Sequence, residues 1–187
     1  MTTGGPVWLV RHASTQWTGR RWCGRSYPPL TLDGLGAAKA LATELAAVVP
    51  SGTIIVASPL RRSLATADAI AAAIAAGVRV VPDLIEVDFG SVDGMTWDQL
   101  EIAHPALAAS ILGGTDADWP GGETAAQVAG RVSAAVLRIR ALAESSAVVV
   151  VSHGGLLPAL ARSMGTAVPD GRFEPASAMR IDPVLAR

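Results

Sequence analysis

Short, purely apolar runs alternate with longer amphipathic stretches along this chain, and the alternation predicts an α/β protein. Residues 7–10, 53–57, 78–81 and 147–151 have the length and β-branched content of buried strands. Between them apolar residues recur at helical spacing. Leu35, Ala38, Leu41, Leu45 and Val49 mark a helix over about 33–49, with Thr31 as its cap. Ser58 and Pro59 read as the cap and first position of a second helix, LRRSLATADAIAAAIAA. Val128, Val132, Val136, Ile139 and Leu142 line one face of a third helix over 123–144. A fourth starts at Gly154 and runs to about Met164, and SAMRID supplies an edge strand. Between 91 and 122 the pattern is irregular, with short helices around 96–103 and 105–112, as in an insertion or lid over the sheet edge.

Three of the strands end in a way that changes the picture. The run at 7–10 stops at Arg11 and His12, the run at 53–57 leads to Arg61 and Arg62, and the run at 147–151 stops at His153. Parallel strands of one sheet would bring these ends together at the carboxyl edge, where open α/β sheets bind ligands. The result is a cationic cup suited to a dianion such as phosphate. A lone histidine after a strand is usually a satisfied structural residue; three ends carrying the same residue types argue for a site. The N–H groups at the start of the helix after His153 point back toward the same place. Helix periodicity leaves Arg61 and Arg62 equivalent. The loop after His12 adds Arg20, Arg21 and Arg25, for which solvated surface is the simpler reading. Glu86 and Asp88 lie just beyond another strand.

Composition bounds the function. At 187 residues, with half of them hydrophobic, the chain makes one domain, 1–187, with a cap or flap at about 91–122. The formal net charge of −1 gives no reason to expect nucleic acid or an anionic membrane as partner. From Phe89 to Gly130 there is no lysine or arginine, while Asp93, Asp98, Glu101, Asp116, Asp118 and Glu123 are acidic, so the flap would repel a polyanion. Cys23 is the only cysteine, which leaves no intrachain disulfide. His12, His104 and His153 lack metal-ligand spacing; no metal and no cofactor are expected, and His104 reads as surface. The opening MTTGGP lacks a signal-peptide pattern and no apolar run reaches membrane-spanning length, so a cytoplasmic location is expected. GLGAAK at Gly34 lies inside a helix pattern and is not a dinucleotide loop.

VRHAST, SPLRRSLATA, LIEVDFGSVDG, PGGET and VVVSHGG resemble, in order, the motifs of the histidine phosphatase superfamily, the phosphoglycerate mutase-like family. The resemblance runs from Val7 to about Met179 and implies a single-domain, three-layer α/β sandwich, a mostly parallel sheet flanked by helices. It implies that His12 is the nucleophile, that Arg11, Arg62 and His153 hold the phosphoryl oxygens, and that Glu86 is the general acid and base; the S-x-L-x-R spacing selects Arg62 over Arg61. It also suggests Thr18, Cys23, Gly24 and Gly154 as substrate-binding positions. The chain departs from the family where RHGET would stand, with Ala13 for glycine and Ser14 for glutamate. Alanine at 13 would be strained if that position needed a positive φ. The expected function is a metal-independent phosphomonoesterase, a phosphoric monoester hydrolase of the histidine acid phosphatase type. Its partner would be a small phosphorylated metabolite: α-ribazole phosphate, a sugar phosphate or phosphoglycerate. The alternatives are a cofactor-dependent phosphoglycerate mutase and a phospho-ligand binding protein without turnover. Oligomeric state is not legible.

Overall fold

The protein is described from a computed structural model covering residues 4–115 and 117–182; Asp116 of the acidic set lies outside the described residues. Five strands form one sheet: β1 (Val7–Arg11), β2 (Ile54–Ala57), β3 (Val78–Val80), β4 (Val148–Ser152) and β5 (Ala178–Ile181). Their order is β3-β2-β4-β1-β5, with the first four parallel and β5 antiparallel against β1 at the edge. The helices are α1 (Leu32–Ala46), α2 (Arg61–Ile74), α3 (Trp97–Ala103), α4 (Pro105–Leu112), α5 (Ala125–Ala143) and α6 (Leu156–Ser163).

Strand side chains alternate between faces, so each apolar run feeds two cores. Trp8, Val10, Ile55, Val149 and Val151 pack against Leu41, Leu45, Ala67 and Ile70 of α1 and α2. Val7, Leu9, Val56, Val148 and Val150 pack on the opposite side with Val132, Val136 and Ile139 of α5 and Leu156, Leu157 and Leu160 of α6. Leu100 of α3 and Leu107 and Ala108 of α4 join this second core, which anchors the 91–122 segment to the face carrying α5 and α6.

Register brings the predicted ends together. Arg11 pairs with Ser152 and Ala57 with Val151, while the His12 N–H bonds the Ser152 carbonyl and the Ser58 N–H the Val151 carbonyl. His12, Ser58 and His153 thus follow three adjacent strands at one level.

Several helix starts differ from the sequence reading. The second helix begins at Arg61, since Leu60 is extended and Ser58 Oγ meets His153 Nε2 (2.6 Å) and accepts from the Leu60 N–H (3.3 Å) instead of capping. α5 begins at Ala125 behind a Thr124–Gln127 capping box, because the Glu123 carboxylate is used elsewhere. The last long helix begins at Leu156, not Gly154. His104 is half-buried at the junction between α3 and α4, not on the surface. Gly34 lies within α1, pressed against the Ser14 carbonyl, as expected of a packing residue.

Leu9, at the middle of β1 with 0% exposure, belongs to the core that also holds α5 and α6. Leu9→Ala should lower unfolding free energy by about 2–5 kcal/mol, read from urea denaturation monitored by circular dichroism.

Candidate active site

Beyond the carboxyl edge of β1 and β4 lies a cavity of about 380 Å³. Arg11, His12, Thr18, Cys23, Glu86 and Gly154 all line it, joined by Arg20, Arg21, Trp22 and Phe89. Arg62 and His153 lie immediately behind His12, not in the cavity wall.

His12 is 5% exposed and held at both ring nitrogens. Nδ1 is 2.7 Å from the Ala13 carbonyl, which accepts only from an N–H, so Nδ1 carries the proton. Nε2 is then the lone-pair nitrogen, and the Arg62 Nε–H donates to it at 3.1 Å. Burial first, then the Arg62 and Arg11 charges, hold the imidazole pKa down to about 3 against the favourable Ala13 bond. His12 is a neutral, oriented nitrogen base throughout the physiological range. Ala13 is buried without a positive φ, and its N–H bonds Thr66 Oγ1 at 3.1 Å, so the substitution for glycine brings no backbone strain there.

Arg62 is 1% exposed, and backbone acceptors surround it: Ser26 O at 2.7 Å, Gly24 O at 2.7 Å and Cys23 O at 3.3 Å. These carbonyls are held in turn by Asp93, whose carboxylate accepts from the Gly24 N–H, the Ser26 N–H and Ser26 Oγ. Gly24 is therefore a buried strut beneath Arg62 and lies outside the cavity, contrary to its reading as a substrate contact; a Cβ there would press on Val87 O and Phe89. Thr18 Oγ1 accepts from the Thr15 N–H at 2.9 Å and faces the cavity. Burial pushes the Cys23 thiol up to about 11, so it is a neutral wall group.

Arg11 donates through Nη1 to Phe173 O at 2.6 Å, and its buried Nε has no protein partner. Gly154 allows the close approach: a Cβ would stand 3.1 Å from the guanidinium carbon. His153 is fully buried, its ring centroid 5.0 Å from that of His12, with Nδ1 also unpartnered. Its pKa lies well below the ordinary histidine value, first through burial and then through His12, Arg62 and Arg11. Two unpartnered buried nitrogens beside the cup are costly unless a polar partner reaches them: an acceptor for Arg11 Nε–H, and for His153 Nδ1 whichever its tautomer requires. Arg20 and Arg21 are exposed at the mouth, Arg21 donating to Gly94 O, whereas Arg25 turns away to pair with Asp88 and Glu123.

Glu86 is 4% exposed; Oε1 accepts from its neighbour's N–H, Val87, and Oε2 from the Gly155 N–H at 3.0 Å. The α6 amide expected to reach toward His153 is thus spent on the carboxylate. Burial raises the Glu86 pKa, outweighing those two bonds and the Arg62 and Arg11 charges. Its loop is pinned from outside: Arg131 Nη1 donates to Asp83 O and Ile85 O, while Arg131 Nε and Nη2 grip Glu123, which also accepts the Asp88 N–H. Burial opposes ionisation of Glu123, but those donors and the Arg25 charge prevail and its pKa is lowered.

Sequence reasoning missed Ser58, Asp93 and Arg131 as supports of the site. Ser58 carried a signal, a polar residue ending a core strand, but it read equally well as a helix cap. Among the described residues no three His, Cys, Asp or Glu side chains converge as a metal-binding group, and no helix is long and apolar enough to cross a membrane.

The family model described as histidine phosphatase superfamily (branch 1) matches residues 7–178. A protein of Proteus mirabilis named "Probable phosphoglycerate mutase GpmB" is 37% identical over 151 residues, covering 79% of this chain and 69% of the relative. The mycobacterial glucosyl-3-phosphoglycerate phosphatase Rv2419c superposes with a TM-score of 0.79 at 28% identity, over 95% of this chain and 89% of that one. A phosphoglycerate mutase from Thermus thermophilus gives 0.75 at 28% identity, over 95% and 92%.

Because His12 stays neutral when folded while unfolded imidazole titrates near 6.5, stability falls as pH drops below that value. Glu86, with its raised pKa, acts in the opposite sense, so the comparison of wild type with His12→Ala isolates the histidine. Urea denaturation at pH 7.5 and 5 should show the wild type losing more stability than the variant, by up to about 1.4 kcal/mol per pH unit.

Proposed function

Because the chain belongs to the histidine phosphatase superfamily, we propose that it hydrolyses phosphate monoesters of a small metabolite through a phosphohistidine intermediate. What supports this reading is the geometry of His12: a neutral imidazole whose Nε2 lone pair is oriented by the Ala13 carbonyl and surrounded by Arg11, Arg62 and His153. A phosphate dianion resists nucleophiles because of its own charge, and buried guanidinium groups offset that charge without consuming the nucleophile.

In the proposed mechanism the Nε–H of Arg62 leaves Nε2 for a phosphoryl oxygen and the Nε–H of Arg11 takes another; with the Ser58 hydroxyl donating to its Nε2, His153 carries its proton on Nδ1 and supplies a third donor. Nε2 attacks phosphorus in line. The P–O bond to the leaving alcohol breaks, and the proton on Glu86 goes to the departing oxygen. The carboxylate left behind then takes a proton from water as that water attacks phosphorus; the P–N bond breaks and its electron pair returns to Nε2. A buried carboxyl with a raised pKa is suited to both halves. Thr18, Cys23 and Gly154 stand at the cavity wall as candidate contacts for the rest of the substrate. Sugar phosphates, phosphoglycerate and α-ribazole phosphate are the first esters to assay.

Return of the phosphoryl group to a second hydroxyl, a mutase reaction, is the second reading, favoured by the name of the 37% identical relative. Against it stands the absence of lysine and arginine from Phe89 to Gly130, where a bisphosphorylated carboxylate would need cations.

Phosphate release from a monoester panel in EDTA tests the reading, with His12→Ala lowering turnover by about 10³-fold or more. Isomerisation of phosphoglycerate primed by 2,3-bisphosphoglycerate, outpacing release, would favour the mutase; tight phosphate binding with no turnover would favour a binding protein. For an alkyl ester, kcat/KM should decline with rising pH as the Glu86 carboxyl that protonates the leaving oxygen ionises. Glu86→Gln should abolish that alkaline limb and slow alkyl esters far more than aryl esters; equal slowing would remove Glu86 from the acid role.

A further inference from the structure

A second cavity, of about 490 Å³, opens between α5, α6 and residues 111–119. It shares Trp22, Phe89 and Gly155 with the reaction cavity, so the two adjoin. Gly155 stands at the junction: a Cβ there would lie 2.7 Å from Glu86 Oε1 and 3.3 Å from the Phe89 ring, so hydrogen in its place leaves room beside the carboxylate.

The chamber is built differently from the cup. Its wall is aromatic and aliphatic, with Trp22 and Trp119 packed around Phe89 at centroid distances of 5.4 and 4.3 Å, and Ile111, Val128 and Val132 beside them. Among the described residues Arg162 is the only ionisable group in the lining, and the remaining polar groups are the hydroxyls of Thr115, Ser133 and Ser163 and the two indole N–H groups. A sugar ring or carboxylate placed there would exchange water for few partners, whereas an apolar group loses nothing.

Direction matters as much as composition. In-line attack by His12 Nε2 expels the leaving oxygen on the side of phosphorus away from the imidazole, toward the group that protonates it. On the phosphatase reading, upon which this inference rests, that group is Glu86, and Val87 and Gly155, whose N–H groups hold its carboxylate, both line this chamber. We infer that the chamber receives the body of the leaving group, and that the substrate class is the monophosphate ester of an apolar alcohol or phenol.

Ethyl and hexyl phosphate differ only in chain length, and their nonhydrolysable counterparts, ethyl- and hexylphosphonate, report binding without turnover. Each fully buried methylene is worth about fourfold, so kcat/KM should rise roughly tenfold to a hundredfold from ethyl to hexyl phosphate, with a parallel gain in phosphonate affinity by calorimetry. Ala129 is exposed on α5 at the rim, and Ala129→Trp should drive the hexyl-to-ethyl ratio toward one. Turnover of both esters with equal kcat/KM and equal phosphonate affinities overturns the inference and leaves the phosphatase reading standing. No release from any ester sinks the phosphatase reading and with it the leaving-group role. The titration then decides the chamber alone: tighter hexylphosphonate upholds its ligand class, and equal affinities overturn it.

Discussion

Parallel hydrogen bonding of β1 to β4, with Arg11 level with Ser152, is the constraint from which the rest of the site follows. It fixes His12 and His153 at the same height and 5.0 Å apart between ring centroids, so that the two imidazoles, Arg11 and Arg62 must share one buried volume. Ionising either imidazole there would add a cation to a space already holding guanidinium charge. The site resolves the conflict by keeping both rings neutral, which is the form the proposed attack on phosphorus would use.

The strands and the cup were legible because they depend on short-range pattern: β-branched runs buried on both faces, each broken by a charged or histidine residue. Glu86 was legible mainly through its motif, since nothing in LIEVDFG by itself distinguishes the buried carboxyl of Glu86 from the half-buried one of Asp88. What stayed hidden were contacts between distant residues. Asp93 braces Gly24 and Ser26 across roughly 70 positions, and Arg131 reaches back to Asp83 and Ile85 across nearly 50. Ser58 shows the same limit: its local sequence suits a helix cap, but the strand register hands its hydroxyl to His153. Gly24 erred in the other direction, a motif glycine assumed to face substrate and found beneath Arg62.

The two cavities divide the molecule electrostatically. On the side of Arg11, Arg20 and Arg21 the walls are cationic, while past Glu86 they are aromatic. Phe89 and Trp22 belong to both, and their edge-to-face contact forms a shared wall that is rigid without being polar. The two cavities are therefore distinguished by charge on either side of the Glu86 carboxyl group.

Where the Glu86 loop leaves, Gly90 lies against Pro120 and Gly122 against Asp88, so closely that neither position has room for a side chain; the Ser91 N–H bonds Pro120 O and the Glu123 N–H bonds Asp88 O. The chain departs and returns at one stapled point, and the excursion between is tied to the rest through Asp93, Gly94 and its buried leucines. Lengthening such an excursion costs only the slow logarithmic growth of loop-closure entropy, while the staple keeps Glu86 in register with the sheet. The architecture is thus modular only in part: Asp93, which braces the loop around Arg62, and Leu100, Leu107 and Ala108, which fill the core, are fixed, and variation is left to the exposed positions of the excursion.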